Sequence, residues 1–479
     1  MSASLKHKPK LLQDLVSLIG GQFVSMLIGF LSFTYLARVL DAPSYGALEF
    51  AIAVTSFYTV VVECGLGPIG VRRLALDRGS ASKLAAGIPA ARLLLAVLTV
   101  PLVGLTAYIT HQDPKTITLV WLYAFSLGGV PWRQDWLLQG LEKMNLAAPG
   151  PAIRTLVFAL GAFLFVRRPD DLVVVGIVQM ASEALCSVYY IGVQQLWAIP
   201  FRIVFKLNEM RHLVWEGAAV GVSQLVWAFS QYVPLVLVAT LIGGAERAWF
   251  GAPLRILGAL LAFGFLYHFN LYPISARLLA EDRDRWRHLM WTSLRVASWS
   301  GIGLALMLTL FSAPFMLTIF GQKFTASVSV FAILIWVVPI RLLSDHARWA
   351  LVARGLQRYL LISEVLGALT LLVAGLLMVP FWASNGAAAA SIAGNLVTWI
   401  TAHFFVTRHI GRMAPFHVPL LPAVTAVGWG TIMFLTHWNL FLSGSIAVVG
   451  FTACAFLIGG IWPDIKKLAY AKNLTQAGS

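Results

Sequence analysis

Seven arginines and seven acids stand inside long apolar stretches of this sequence, where an ionisable side chain is expensive and is a functional candidate by default. The arginines are Arg92, Arg133, Arg154, Arg255, Arg295, Arg341 and Arg348; the acids are Glu49, Glu63, Asp135, Glu183, Glu216, Asp345 and Glu364. Near the centre of a spanning helix each arginine costs about 2.5–3.5 kcal/mol, even on a permissive insertion scale. Several together cannot face lipid, so they must pair or line a wet cavity. A guanidinium presents a planar fork of donors that matches phosphate and carboxylate oxygens, so the chemistry open to this set is capture of an anionic group. Structural pairing is the competing reading. Arg341 and Asp345 stand at i,i+4, and Asp345 and Arg348 at i,i+3, spacings at which a helix neutralises itself. Glu49, Glu216 and Arg295 are placed to snorkel toward an interface.

The elements that hold these charges follow from composition. The chain has 479 residues, 59% hydrophobic and only 11% charged, with 35 Lys+Arg against 20 Asp+Glu for a formal +15. That charged share is less than half that of a typical soluble domain, which excludes a chain of ordinary soluble domains. The reading is an all-α polytopic membrane protein. A spanning helix needs about 20 apolar residues, and runs of that kind give fourteen candidate spans. They cover 15–37, 45–67, 84–110, 116–140, 145–166, 172–196, 212–242, 247–276, 287–319, 326–353, 358–380, 385–407, 418–436 and 441–462. Lys6, Lys8 and Lys10 before the first run imitate a signal peptide. Thirteen further runs and no clear cleavage site favour a retained helix.

The loops alternate in charge. One face carries 22 basic residues, from Lys6 through Arg72, Arg73, Arg202, Arg277 and Arg354 to Lys472, and the other has six, Arg38, Lys115, Arg167, Arg168, Arg247 and Lys323. By the positive-inside rule the first face is cytoplasmic, with both termini on that side. At a rise of ~1.5 Å per residue, Arg92 and Arg154 lie about 13 Å inside the cytoplasmic ends of their helices. Arg133 reaches a similar depth, Arg348 lies nearer that face, and Arg255 stands in the outer half. An inner-half bias suits an anionic group arriving from the cytoplasmic leaflet. The candidate anion-binding residues are therefore Arg92, Arg133, Arg154, Arg255, Arg341 and Arg348. Asp135, Asp345, Glu63 and Glu183 are candidate counter-charges or cation-coupling groups.

A weak internal duplication organises the chain. Val130-Pro131-Trp132-Arg133 in the fourth run matches Val338-Pro339-Ile340-Arg341 in the tenth, and Gly140-Leu141-Glu142-Lys143 matches Gly355-Leu356-Gln357-Arg358. Six helices separate the copies, so both cross the membrane in one direction, a parallel repeat of the kind some secondary transporters show. The expected organisation is a first lobe over 1–200, a second over 201–412, and two extra helices with a tail over 413–479.

The remaining signals are weaker. Seventeen tryptophans fit interfacial anchoring by default, and Trp132 and Trp136, beside Arg133 and Asp135, are the candidates for stacking on sugars. His268, His346 and His403 fall within spans and are candidates for carrying protons, against the plainer reading of satisfied buried histidines. Cys64, Cys186 and Cys454 lie far apart, against a disulfide framework or zinc site. The basic residues sit between apolar runs rather than in one patch, which argues against nucleic acid. The sequence contains no GxxxxGK[ST], HExxH or GxSxG, and the short external loops leave no room for a catalytic domain, so neither an enzyme nor a bound cofactor or metal is expected.

Several segments resemble Wzx-type polysaccharide flippases. Tyr35-Leu36-Ala37-Arg38-Val39-Leu40 with Tyr45-Gly46 is similar to their first inter-helix loop. Glu63-Cys64-Gly65-Leu66-Gly67 with Gly70-Val71-Arg72-Arg73 resembles the end of their second helix, with Glu-Cys where an Asp-Leu-type pair is more usual. Trp136-Leu137-Leu138-Gln139-Gly140-Leu141-Glu142-Lys143-Met144 is the closest match, to the end of their fourth helix, and Tyr272-Pro273 is similar to the end of their eighth. The resemblance covers most of the first 360 residues and implies a member of the multidrug/oligosaccharidyl-lipid/polysaccharide exporter superfamily. It implies two six-helix lobes around a central cavity that opens alternately to either side. The implied cargo is a polyprenyl-pyrophosphate-linked oligosaccharide, moved across a bacterial inner membrane. Membrane lipids, and a polymerase and export proteins of a polysaccharide pathway, are the implied partners. A cation-coupled drug or solute exporter of the same superfamily is the alternative. A major-facilitator reading fails because Gly70 and Asp77-Arg78 have the wrong spacing.

Overall fold

A computed structural model describes residues 8–197, 202–413, 418–436 and 440–464. The terminal segments bearing Lys6, Lys466, Lys467 and Lys472 lie outside the described residues. Every regular element among the described residues is helical, as hydrocarbon demands of a backbone that must satisfy its own polar groups. Nine of the described helices are long and apolar enough to cross a membrane by themselves. All fourteen apolar runs fall on helical segments, and several of those segments are broken inside.

The chain divides into two compact units, Met1–Ala248 and Trp249–Ser479. The first holds α1 (Lys8–Val39), α2 (Ala42–Glu63), α3 (Leu66–Leu76), α4 (Ala81–Ile109), α5 (Pro114–Ser126), α6 (Asp135–Gly140), α7 (Met144–Ala147), α8 (Pro149–Phe165), α9 (Leu172–Leu196) and α10 (Leu207–Leu241). Then come α11 (Glu246–Glu281), α12 (Arg283–Leu310), α13 (Ser312–Phe320), α14 (Ser327–Leu334), α15 (Val337–Ala353), α16 (Gln357–His409), α17 (Leu420–Thr436) and α18 (Leu440–Leu457). The seventh run, α10, thus packs within the first unit, which extends to Ala248. The cause is local. Cys64 and Gly65 both adopt left-handed backbone conformations between α2 and α3. A Cβ on Gly65 would collide with the carbonyl of Gly217, and one on Gly217 with that of Cys64. Glycines on both sides let α10 approach the α2–α3 turn backbone to backbone, and Arg73 of α3 pairs with Glu216 of α10.

The long helices show which faces meet protein. On α4, Ile88, Arg92, Ala96, Thr99, Val103 and Ala107 form a buried stripe, whereas Val97, Leu98, Leu102, Leu105 and Ile109 are exposed. These are the two faces of a helix with one side on protein and the other offered to lipid. On α9, Val175, Val178, Glu183, Cys186 and Tyr190 are buried while Ile177, Leu185 and Val188 are exposed. Both Arg92 and Glu183 therefore lie on protein-facing stripes. At the opposite end of α4, Asp113 caps α5 by accepting from the backbone N–H of Thr116 at 3.0 Å. Burial works against its ionisation, but the hydrogen bonds from Thr116 and the charge of Arg247 outweigh burial and hold the carboxyl below its usual range.

In the second unit α16 is one run of helical residues that reverses direction at Ala383, at φ 47° and ψ −129°. A side chain at Gly367 would meet Gly394 and Thr398, so its two halves lie side by side, as the runs over 358–380 and 385–407 require. One core cluster of this unit gathers Trp286, Met290, Leu343, Leu351, Ala402 and Val406. Glu49 and Arg295 both have protein around them. Glu49 is 3% exposed, and Arg295 meets Asp464 at 3.4 Å and the Gly459 carbonyl.

Candidate anion-binding site

The fourth apolar run does not continue as one helix. It passes from α5 into a 3-10 segment over Leu127–Trp132, leaves helical geometry at Arg133 (φ −69°, ψ 99°) and restarts as α6. Gly128, Gly129 and Pro131 explain the break, since two glycines raise the entropy cost of a helix and proline removes a donor. A break inside a membrane frees carbonyls that need partners. Arg92 supplies one, its Nη1 donating to the Arg133 carbonyl at 3.1 Å.

The Arg133 side chain then reaches α9. Its Nε and Nη2 donate to the two carboxylate oxygens of Glu183 at 3.2 and 2.6 Å, a forked pair of the strongest kind. Arg154 of α8 adds Nη1 at 3.3 Å to the same carboxylate, and Gln179, one turn back on α9, donates at 3.5 Å. Glu63, the last residue of α2, lies 3.8 Å from Nη1 of Arg133. Four helices and a helix break thus bring Arg92, Arg133, Arg154, Glu63 and Glu183 together, with Asp135 in the first turn of α6 beside them.

Next to this cluster lies an open cavity of about 440 Å³, lined by Glu63, Arg72, Arg92, Asp135, Trp136, Gln139 and Gln224 among others. The buried Nε of Arg92, Nε1 of Trp136 and Oε1 of Gln224 have no hydrogen-bond partner. Buried polar atoms rarely stay unpaired, so this wall has donors and an acceptor to offer a ligand. The Trp136 ring is 2% exposed and lies against Gly70, where a Cβ would collide with it. Trp132 is half-buried.

The candidate residues of the second unit form a different arrangement. Arg341 pairs within α15 with Asp345 at 3.7 Å, and Arg348 turns to Glu364 of α16 at 3.4 Å. Arg255 stands half-buried on α11. Three members of these networks carried no separate signal in the sequence: Gln179, Arg72 as a cavity wall, and Glu364 as the partner of Arg348.

The fold is one that solved membrane flippases and multidrug transporters share. The solved lipid II flippase MurJ, in an inward closed conformation, shares the fold with a TM-score of 0.75 at 13% identity, over 93% of this chain and 100% of that one. A multidrug resistance MATE family transporter in an inward-facing conformation matches with a TM-score of 0.69 at 14% identity, over 81% and 95%. The model of the polysaccharide biosynthesis protein family matches residues 11–279, and the chain belongs to that family. A relative from Escherichia coli (strain K12), "Putative O-antigen transporter", is 21% identical over 307 residues, 64% of this chain and 74% of that one. These relatives are transporters and flippases, not enzymes.

Proposed function

We propose that this protein turns a polyprenyl-pyrophosphate-linked oligosaccharide from the cytoplasmic to the outer leaflet of a bacterial inner membrane by alternating access, for export of exopolysaccharide, O-antigen or capsule. The observation that carries the reading is the trio Arg92, Arg133 and Arg154, held at a helix break beside a polar-walled cavity within the spans. Three guanidiniums at that depth are costly unless something anionic uses them. A pyrophosphate offers forked acceptors to such donors, and the cavity, within the usual size range for a ligand site, offers a place for the first sugar. Arg341, Arg348 and Arg255 are the corresponding residues of the second unit. Membrane lipids, and the polymerase and export proteins of the same pathway, are the partners that this role requires.

The test is complementation of polymer export in a strain lacking the flippase. Arg133→Ala and Arg341→Ala should each abolish export while the protein is still found inserted in the membrane. Full export from both variants would end the assignment. The fold shared with multidrug exporters keeps one alternative in view, a cation-coupled drug or solute exporter. That alternative predicts drug resistance in a sensitised host and no effect on polymer.

A further inference from the structure

On the helix that also carries Arg341 and Arg348, the second unit buries one of two histidines packed against each other. His268 of α11 and His346 of α15 are each 1% exposed, with Nε2 of the first 3.0 Å from Nδ1 of the second. The hydrogen bonds place the protons. Nδ1–H of His268 donates to the Gly264 carbonyl at 2.8 Å, which leaves its Nε2 as an acceptor. Nδ1–H of His346 is shared between that Nε2 and the Leu342 carbonyl at 2.8 Å. Nε2 of His346 accepts from the Ser293 hydroxyl of α12 at 2.7 Å, and Ser293 Oγ accepts from the Tyr267 hydroxyl at 2.6 Å. One chain of donors runs from half-buried Tyr267 to the paired rings and ties three helices together.

We propose that His268 and His346 form a binding site for a single proton, loaded through Tyr267 and Ser293. A proton arriving at the Tyr267 oxygen releases the phenolic proton to Ser293 Oγ. Ser293 in turn passes its own hydroxyl proton to Nε2 of His346. No electrons are exchanged, and the net change is one proton on the pair. His346 then shares the charge by moving its Nδ1 proton across to Nε2 of His268. A second proton would set two N–H groups against each other and two cations at a ring separation of 4.5 Å, so the site holds one.

The charged groups that act on the pair come from its neighbours. Asp345 and Arg341 of α15 act on His268, and His268 acts on His346. The contact from α12 is the uncharged Ser293, and Glu364 of α16 is engaged by Arg348. Asp345, itself paired with Arg341, is the carboxylate whose charge favours a proton on His268. The site uses none of the arginines of the first unit, so a driving proton has a place in this chain whatever the cargo.

The experiment is side-chain ¹⁵N spectroscopy of the full-length, histidine-labelled protein in lipid nanodiscs without cargo, from about pH 8 to about pH 5, the range in which histidine charge changes. Two of the ten histidines should move together and take up one proton between them. That count is read on the unaltered chain, so it does not depend on any variant folding. In His346→Asn and His268→Asn the shared uptake should be lost. Ser293→Ala, which leaves both rings in place, should shift the His346 Nε2 line and slow the uptake, and it assigns the lines if either histidine variant fails to fold. Two lines that stay neutral throughout, or that each take a full proton, overturn the site. Lines indifferent to Ser293→Ala overturn the loading path.

Discussion

Glu183 determines how much of the arginine charge is free for a ligand. Its buried carboxylate holds Arg133 by two bonds and Arg154 by one, so an arriving anion meets guanidiniums already oriented and partly neutralised. Removing one partner of a buried ion pair leaves the other charge uncompensated, at a cost of about 3–5 kcal/mol. Glu183→Gln should therefore lower the unfolding midpoint of the purified protein markedly. Combining it with Arg133→Met should recover much of the loss, and a double-mutant cycle of unfolding free energies measures the coupling. Independent, additive effects would show that the pair does not hold the unit together. The sequence exposed Arg133, Arg154 and Glu183 as charges out of place, but not who pairs with whom. Arg348 had Asp345 three residues away and turned instead to Glu364. Helical spacing shows which charges can meet on one helix, whereas the register between α15 and α16 is set by packing that no single-helix pattern contains.

At the scale of elements, the turn at Cys64–Gly65 and the break at 127–134 position the site, and they differ in how far the sequence revealed them. Gly65 sat in a recognisable motif, but its partners Gly217 and Gly221 lie about 150 residues later and looked like ordinary apolar-run glycines. A left-handed conformation costs a non-glycine residue about 1–2 kcal/mol, and the collision with Gly217 adds to it. Gly65→Ala should consequently destabilise the protein more than Gly217→Ala, which suffers the collision without the backbone strain. Thermal unfolding of the two variants in detergent compares them directly, and equal midpoints would remove the strain argument. The break at 127–134 was read as one continuous span, because a proline in an apolar run marks a kink and an interruption alike. Its extent depends on Arg92 capturing the freed carbonyl, a contact between α4 and the break. By contrast the reversal inside α16 was legible, because Pro380 and Ser384-Asn385-Gly386 punctuate two runs of spanning length.

For the whole molecule the decisive quantity is the asymmetry of loop charge, 22 basic residues against six, which sets orientation because basic loops resist translocation. The sites proposed above need that orientation, since the inner-half depth of Arg92, Arg133 and Arg154 has meaning only if the basic face is cytoplasmic. Four exposed loop positions read it out: Arg78 and Arg354 on the basic face, Lys115 and Lys323 on the other. With Cys64, Cys186 and Cys454 replaced, single cysteines at these positions can be tested with a membrane-impermeant thiol reagent on intact cells. Lys115→Cys and Lys323→Cys should label at once, and Arg78→Cys and Arg354→Cys only after permeabilisation. The inverse pattern would place the arginine trio near the outer leaflet, and cargo arriving from the cytoplasm would then meet Arg255 first. Because the four positions sample both compact units, agreement among them would also establish that the two copies of the repeat cross the membrane in the same direction. An antiparallel repeat would label one position of each pair in intact cells and not the other.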